Sequence, residues 1–497
     1  MKKFFCFIFC VVFAGLSLTF ISCSSSEIDK VSKNLTTYAI DAKLDDEKKE
    51  ISATQTVIFY NNTGEDLDEI YFHLYPRAFR EDAEIKPYTA LTMATCFPNG
   101  LSYGDIKVIS VKVNGDIKLF ETVGEDEDIL KVNLGFKLTN KKTVQIVIEF
   151  VLTIPNSTHR FGYYNGNINL GNWYPIVCNF ENGEFDMTPY YATGDPFCSE
   201  IANYSVSLTY PSSYQICSTG KLAFKNNGNS TTAKAEAKAV RDFAMCLSNV
   251  SSIVTQNVGG VQVNYMGYTE DDDLSDNLKI SSKALEYFGS AFGKYPYSTL
   301  SVVKTPFVYG GMEYPNIVYI SDSIDEEAEF KKVIVHEIAH QWWYATVGNN
   351  EINEAWLDES LAEYSSALFF KNNEEFGVTY DEFVGDALSS YLLYVDVVET
   401  IRGDINTKMN LKINEYQNDY EYSYMVYVKG VIMFDCLSDA VGENKLVAGL
   451  KKYYKDSKFK IATKEDFYSA FKSACHQDLD NFFEGFLNGT TIISNIS

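Results

Sequence analysis

The chain has 497 residues and carries 67 acidic against 42 basic side chains, a formal net charge of −25. The length implies two or three domains. The charge argues against nucleic acid as a partner, since holding phosphates needs a basic surface, and it suits cationic or neutral peptides.

In chain order, Lys2 and Lys3 precede an apolar run from Phe4 to Ile21, the charged and hydrophobic regions of a secretory signal. The run ends on Phe20-Ile21-Ser22-Cys23 and a serine tract, which resembles a bacterial lipobox. Residues 1–23 therefore read as a lipoprotein signal peptide and 24–33 as a polar tether. Cys23 would be the lipidated N-terminus, so the expected location is the cell surface or periplasm, anchored to a bacterial membrane. Phe20 stands where leucine is typical, which leaves an ordinary cleaved signal or an uncleaved anchor as alternatives.

Residues 34–255 read as an N-terminal antiparallel β domain. Ile51, Ala53, Val57 and Phe59 share one face of a two-residue repeat, with Gln55 as the polar exception. The segment from Lys142 to Phe150 alternates more cleanly, Ser205 to Tyr210 forms another strand ended by Pro211, and turn clusters such as Asn61-Asn62-Thr63-Gly64 separate the strands. Beyond the signal the cysteines are Cys96, Cys178, Cys198, Cys217, Cys246, Cys436 and Cys475. An odd number without a C-x-x-C pair predicts free buried thiols, with a single Cys178–Cys198 bridge left open.

Residues 256–497 read as a mainly helical domain. Leu274, Leu278, Leu285, Phe288 and Phe292 trace one helix face that Gly293 ends, and a strand over Leu300–Val303 precedes the Gly310-Gly311 turn. The next helix carries Phe330, Val333, Ile334, Ile338, Trp342 and Trp343 at helical spacing, with Ser321, Asp322 and Ser323 available upstream as caps. Inside it His336-Glu337-Ile338-Ala339-His340 spells H-E-x-x-H. Residues four apart share a helix face, so both imidazoles can reach one metal while Glu337 faces its open side as a general base. Glu359, nineteen residues after His340, falls in the first turns of a helix predicted over Glu354–Phe370 and supplies a third ligand. Three protein ligands plus a water position describe a catalytic zinc ion, one per chain, rather than a structural one. Glu363 lies on the same face as Glu359, either as the partner of a histidine N–H or as a solvated helix glutamate. Late helices follow, one opened by Thr463-Lys464-Glu465-Asp466 and one packed by Phe482, Phe483, Phe486 and Leu487.

Three motifs in order carry a family resemblance. Tyr309-Gly310-Gly311-Met312-Glu313-Tyr314-Pro315 resembles the G-x-M-E-N motif of the aminopeptidase N and leukotriene A4 hydrolase family of zinc metallopeptidases, the gluzincins. The stretch 336–360 is similar to that family's zinc signature, and Tyr427-Val428-Lys429-Gly430 resembles its Y-x-K-G motif. Weaker similarity extends to Asn172-Trp173-Tyr174-Pro175 and to the last hundred residues, and the sequence stops soon after Gly489, so the expectation is a two-domain lipoprotein form without the large helical domain of many members. The resemblance implies an α+β fold, with a β-saddle domain followed by a thermolysin-like catalytic domain. It implies catalytic roles for Glu337 and Tyr427, the latter toward the oxyanion. Glu313 would grip a free α-amine, with Gly310, Gly311 and Met312 completing the substrate-binding strand. The expected activity is removal of N-terminal residues from peptides by zinc-activated water. Alternatives are a zinc endopeptidase or other amide hydrolase of the same fold, or a non-catalytic surface peptide-binding protein. Tyr314 replaces the family's asparagine and bears on the shape of the first substrate pocket; Asp358 and Ser360 replace the Asn and Gly that flank the glutamate ligand.

Overall fold

The computed structural model describes residues 27–269 and 273–494, so Cys23 and the signal segment lie outside the described residues. An α+β architecture results, a β domain followed by a domain in which helices pack around one small sheet. No helix among the described residues is long and apolar enough to cross a membrane.

Alternation builds the β domain. In the strand Glu50–Tyr60 every second residue is buried, and this includes Gln55. The polar exception is satisfied, because its amide nitrogen donates to the carbonyl of Pro175 at 2.8 Å. This strand lies in an eight-stranded sheet, paired on one side with Thr37–Asp45 and on the other with Thr143–Thr153. The sheet is not wholly antiparallel as the spacing predicts. Thr37–Asp45 runs parallel to Ala202–Pro211, a long-range pairing that no local turn announces. The expected tether also differs: Glu27–Val31 forms a short helix pinned by Glu27 to Lys458 (2.6 Å) and by Asp29 to Lys238 (2.9 Å). All seven described cysteines are free, and Cys178 and Cys198 are buried as separate thiols.

The second domain is organised on a mixed five-stranded sheet. Ser251–Val258 forms one edge of it and the two-residue strand Gly311–Met312 forms the other. Asp273 caps the helix Leu274–Ala291 by accepting the N–H of Asp276 at 3.0 Å. The next helix, Glu327–Ala339, starts without a side-chain cap. The expected caps are engaged elsewhere, Ser321 on the carbonyl of Phe307 (2.6 Å) and Asp322 on the hydroxyl of Tyr268 (2.9 Å). It also stops at Ala339, short of Trp342 and Trp343, which pack in the following turn. The predicted helix over Glu354–Phe370 is broken into Glu351–Glu354, a tight turn at Ala355–Leu357, and Glu359–Asn372.

Arg241 joins the domains. Its guanidinium donates to the carbonyls of Ser199 (2.8 Å), Tyr344 (3.0 Å) and Lys460 (3.0 Å), and a side chain at Gly348 would collide with it. The same contact holds Tyr344 at φ 125°, a backbone geometry that costs a bulky residue free energy.

Candidate active site

Two helices and one edge strand converge on His336 and His340. Their Nε2 atoms lie 3.0 Å apart, and each is 3.2 Å from Oε2 of Glu359, the first residue of its helix. The other ring nitrogens define the tautomers. His340 Nδ1 is 2.9 Å from the backbone carbonyl of Trp343, which only accepts, and His336 Nδ1 is 2.6 Å from the Glu363 carboxylate. Both Nδ1 atoms therefore carry hydrogen, so in the neutral rings both Nε2 lone pairs point at one another and at Glu359. Three buried acceptors aimed at one point repel unless a cation sits among them. The donor set, two imidazoles and a carboxylate, suits zinc. Without a cation the pocket would gather protons: burial works against charge on His340, yet Glu359 outweighs it and pushes the imidazole up to about 10.

Glu337 sits one step round the helix, 5% exposed, with Oε2 unpartnered. Burial pushes its carboxyl up to about 7; His336 and His340 oppose the shift, while Glu359 and Asp195 reinforce it. Gly311 makes the room it needs, since a Cβ there would overlap the Glu337 carboxylate. Glu313 directly follows the edge strand Gly311–Met312, 3% exposed, with Oε1 unpartnered. Burial first, then the Asp195 carboxylate, hold Glu313 well above the usual carboxylate range. Only the inner side of Gly311–Met312 is paired, with Tyr319 and Ile320, so the strand's outer edge borders a cleft of about 330 Å³.

Tyr427 lies in a π-helical turn, Tyr424–Val428, and its ring stacks over His336 at 5.7 Å and 20°. Such turns rotate side chains out of α-helical register and occur often at functional sites. Of the neighbouring tyrosines, Tyr420 is exposed, Tyr424 stacks on Tyr394 at 4.2 Å, and Tyr422 joins Tyr427 in the cleft wall. Gly430 of the same motif allows close approach to Ser360, and Lys429 donates to the carbonyls of Thr407 (2.5 Å) and Phe486 (2.9 Å).

Two sequence expectations are corrected here. Met312 does not face the cleft, because its sulfur accepts from Nε of Arg160 (3.1 Å) inside the wall. Tyr314 does not shape the cleft either; it is fully buried and donates to Oδ1 of Asn172 at 2.7 Å. His336, His340, Glu359, Glu363, Glu337, Glu313, Gly310, Gly311 and Tyr427 all border the one cleft. Sequence reasoning missed Arg160, Asp195 and Tyr422 in its wall, and Gln341 behind it. Gln341 pins the edge-strand segment by accepting from the N–H of Asn316 (2.8 Å) and donating to the carbonyl of Tyr314 (3.2 Å). Its place directly after the second histidine is a signal that could have marked it; Arg160 and Asp195 offer none.

A His–His–Glu donor set with a buried free carboxylate beside it, on this fold, defines the class of the zinc metallopeptidases. Comparison with known proteins agrees. Residues 277–486 match the peptidase family M1 domain. Aminopeptidase N of Lactobacillus helveticus is 25% identical over 403 residues, 76% of this chain and 45% of the relative. Leukotriene A-4 hydrolase of Xenopus laevis is 28% identical over 393 residues, 74% of this chain and 62% of the relative. The chain thus spans less than two thirds of the length of either. In fold it is similar to the M1 zinc metallopeptidase of Deinococcus radiodurans, with a TM-score of 0.64 at 14% identity, covering 92% of this chain and 95% of that one. A variant of the Deinococcus protein is described in complex with a Tyr-Ser-Ala substrate.

Proposed function

We propose that the protein is a zinc aminopeptidase that removes single residues from the N-termini of peptides. One observation carries the reading: the buried Glu313 carboxylate, its Oε1 unpartnered, lies at the end of an open strand edge beside Glu337, within the cleft of the His–His–Glu set. Zinc held by His336, His340 and Glu359 would supply a Lewis acid that polarises a carbonyl and acidifies water. The chain's own groups do the rest. Glu313 receives the substrate's α-ammonium, and the outer edge of Gly310-Gly311 pairs with its backbone as an added strand. That register brings the first peptide bond, and no later one, opposite Glu337. Glu337 takes a proton from the attacking water and returns it to the departing amine, a task suited to a carboxyl raised toward neutrality. The hydroxyl of Tyr427, whose ring stacks on His336, donates to the oxyanion that develops on the carbonyl. Glu363 and the Trp343 carbonyl keep both imidazoles in the required tautomer.

The names of the Lactobacillus relative and the substrate complex of the Deinococcus protein support this reading. An endopeptidase reading loses its ground, because it rests on Tyr314, which is packed outside the cleft. The test is a dipeptide amide and its N-acetylated twin. The free amine should be cleaved and the acetylated form hardly at all, and Glu313→Ala should shrink the difference. Equal cleavage of both, or internal cuts in a longer peptide, refutes it.

For location, the proposal is a lipid anchor at Cys23 that places the enzyme outside the cytoplasmic membrane. Wild-type protein should partition with membranes and carry lipid, and Cys23→Ser should escape that maturation. Unlipidated wild-type protein in the soluble cytoplasm would exclude it.

A further inference from the structure

We infer that Lys332 receives the C-terminal carboxylate of short substrates, which makes tripeptides with a free C-terminus the preferred class; this rests on the aminopeptidase reading above. The direction of the substrate follows from two close approaches. Gly311 faces Glu337, and Gly310 faces Val333, whose Cγ2 would lie 3.8 Å from an added Cβ. The edge strand therefore runs alongside the helix in the same sense, from Gly310 at Val333 to Glu313 beyond Glu337. A peptide pairing antiparallel to that edge enters with its amine at Glu313 and leaves toward Val333 and the start of the helix.

The next side chains on that path are Lys332 and Glu329, which also border the cleft. Two residues of extended chain beyond the scissile bond span roughly 7 Å. Five helical residues, from Glu337 back to Lys332, rise roughly 7.5 Å. The carboxylate of a tripeptide thus falls level with Lys332, within reach of its flexible stem.

Charge makes this position distinctive. The cleft wall is acidic, and Arg160 and Lys332 are its Arg and Lys side chains. Arg160 is committed: it is buried, ion-paired with Asp195, and donates to the Tyr190 hydroxyl (2.9 Å) and the Gly194 carbonyl (3.2 Å). Among the described residues Lys332 is ion-paired with a half-exposed partner, Glu329, at 2.7 Å, with its ammonium 5.5 Å from the Phe383 ring centroid. A partly exposed pair three residues apart on a helix is weak, so a substrate carboxylate can share or displace Glu329. A longer peptide would bring a neutral amide there.

The experiment compares Leu-Gly-Gly with its C-terminal amide. Wild type should prefer the acid by about fivefold or more in kcat/KM, the scale of a charge-assisted contact at a partly open site. Lys332→Gln should bring the ratio close to one, Lys332→Glu should invert it, and Glu329→Gln should raise it. Calorimetric binding of both peptides to Glu337→Gln protein reads the same preference without turnover, and the added Lys332→Gln change should abolish it. Equal use of acid and amide by wild type, or a preference that survives in Lys332→Gln, overturns the assignment. If neither peptide is hydrolysed the aminopeptidase reading falls, and the calorimetric preference then decides Lys332 alone: its presence upholds the carboxylate site and its absence removes it.

Discussion

Tyr314 donates its phenolic hydrogen to Oδ1 of Asn172 across 2.7 Å, so the residue after Glu313 is tied to the β domain. Asn172 in turn donates to Asp242 at 2.7 Å, and Tyr174 donates to the other oxygen of Asp242 at 3.0 Å. Gly171 leaves the space that the tyrosine occupies. Tyr314→Phe would leave a buried acceptor unmatched and should cost about 1–3 kcal/mol of stability. Thermal unfolding checks the loss. The ratio of free to N-acetylated peptide cleavage should hold, because Tyr314 does not border the cleft; a collapse of that ratio would return Tyr314 to the substrate pocket.

Removing a ligand and removing the base should have opposite signatures in metal content. Glu359→Ala leaves two imidazoles without their third donor, so purified protein should carry far less zinc. Glu337→Gln keeps all three donors and should retain zinc while losing most activity. Chelation of the wild type should abolish activity and lower Tm, since an ion at a hundred times its Kd adds about 2.7 kcal/mol to stability. Elemental analysis with full zinc in Glu359→Ala would refute the ligand set.

Tyr427→Phe keeps the ring over His336 and removes only the hydroxyl. Loss of one oxyanion donor costs about 10²–10³ in kcat, with zinc content and folding unaffected. Tyr422→Phe, on the same wall, should cost much less. A larger loss in Tyr422→Phe than in Tyr427→Phe would exchange their roles.

The pH profile should reflect Glu337. Burial lifts its carboxyl to about 7, and a bound cation would draw it back down. A general base works as the carboxylate, so kcat/KM should fall as pH drops through an apparent pKa at or below about 7. Rates that rise on acidification through this range would assign the base elsewhere.

Arg241→Met tests the latch between the domains. It strands the backbone carbonyls of Ser199 and Tyr344, leaves that of Lys460 with the N–H of Gly348 (3.0 Å) as its partner, and leaves Tyr344 in its strained conformation without support. The expected loss is roughly 3 kcal/mol or more, read as a lowered denaturation midpoint. A midpoint within experimental error of wild type would show the latch to be dispensable.

Local spacing by itself determined the metal set, because His336 and His340 share a helix face whatever surrounds them. It also determined the alternating strands and the helix opened by Thr463, where side chains a few residues apart decide the outcome. Family motifs added Glu313 and Tyr427 as candidates. What only the tertiary structure decided involves partners distant in sequence. The parallel pairing of Thr37–Asp45 with Ala202–Pro211 needed a strand more than 150 residues away. Tyr314 and Met312 were turned from the cleft by Asn172 and Arg160, each more than 140 residues distant. Asp195 entered the cleft wall because the β domain closes over it, held there by Arg160. A chain's own neighbourhood dictates the periodicity of its backbone and the groups one turn apart. Which way a buried side chain points is set by whichever distant surface packs against it, and that information becomes available only once the two domains have met.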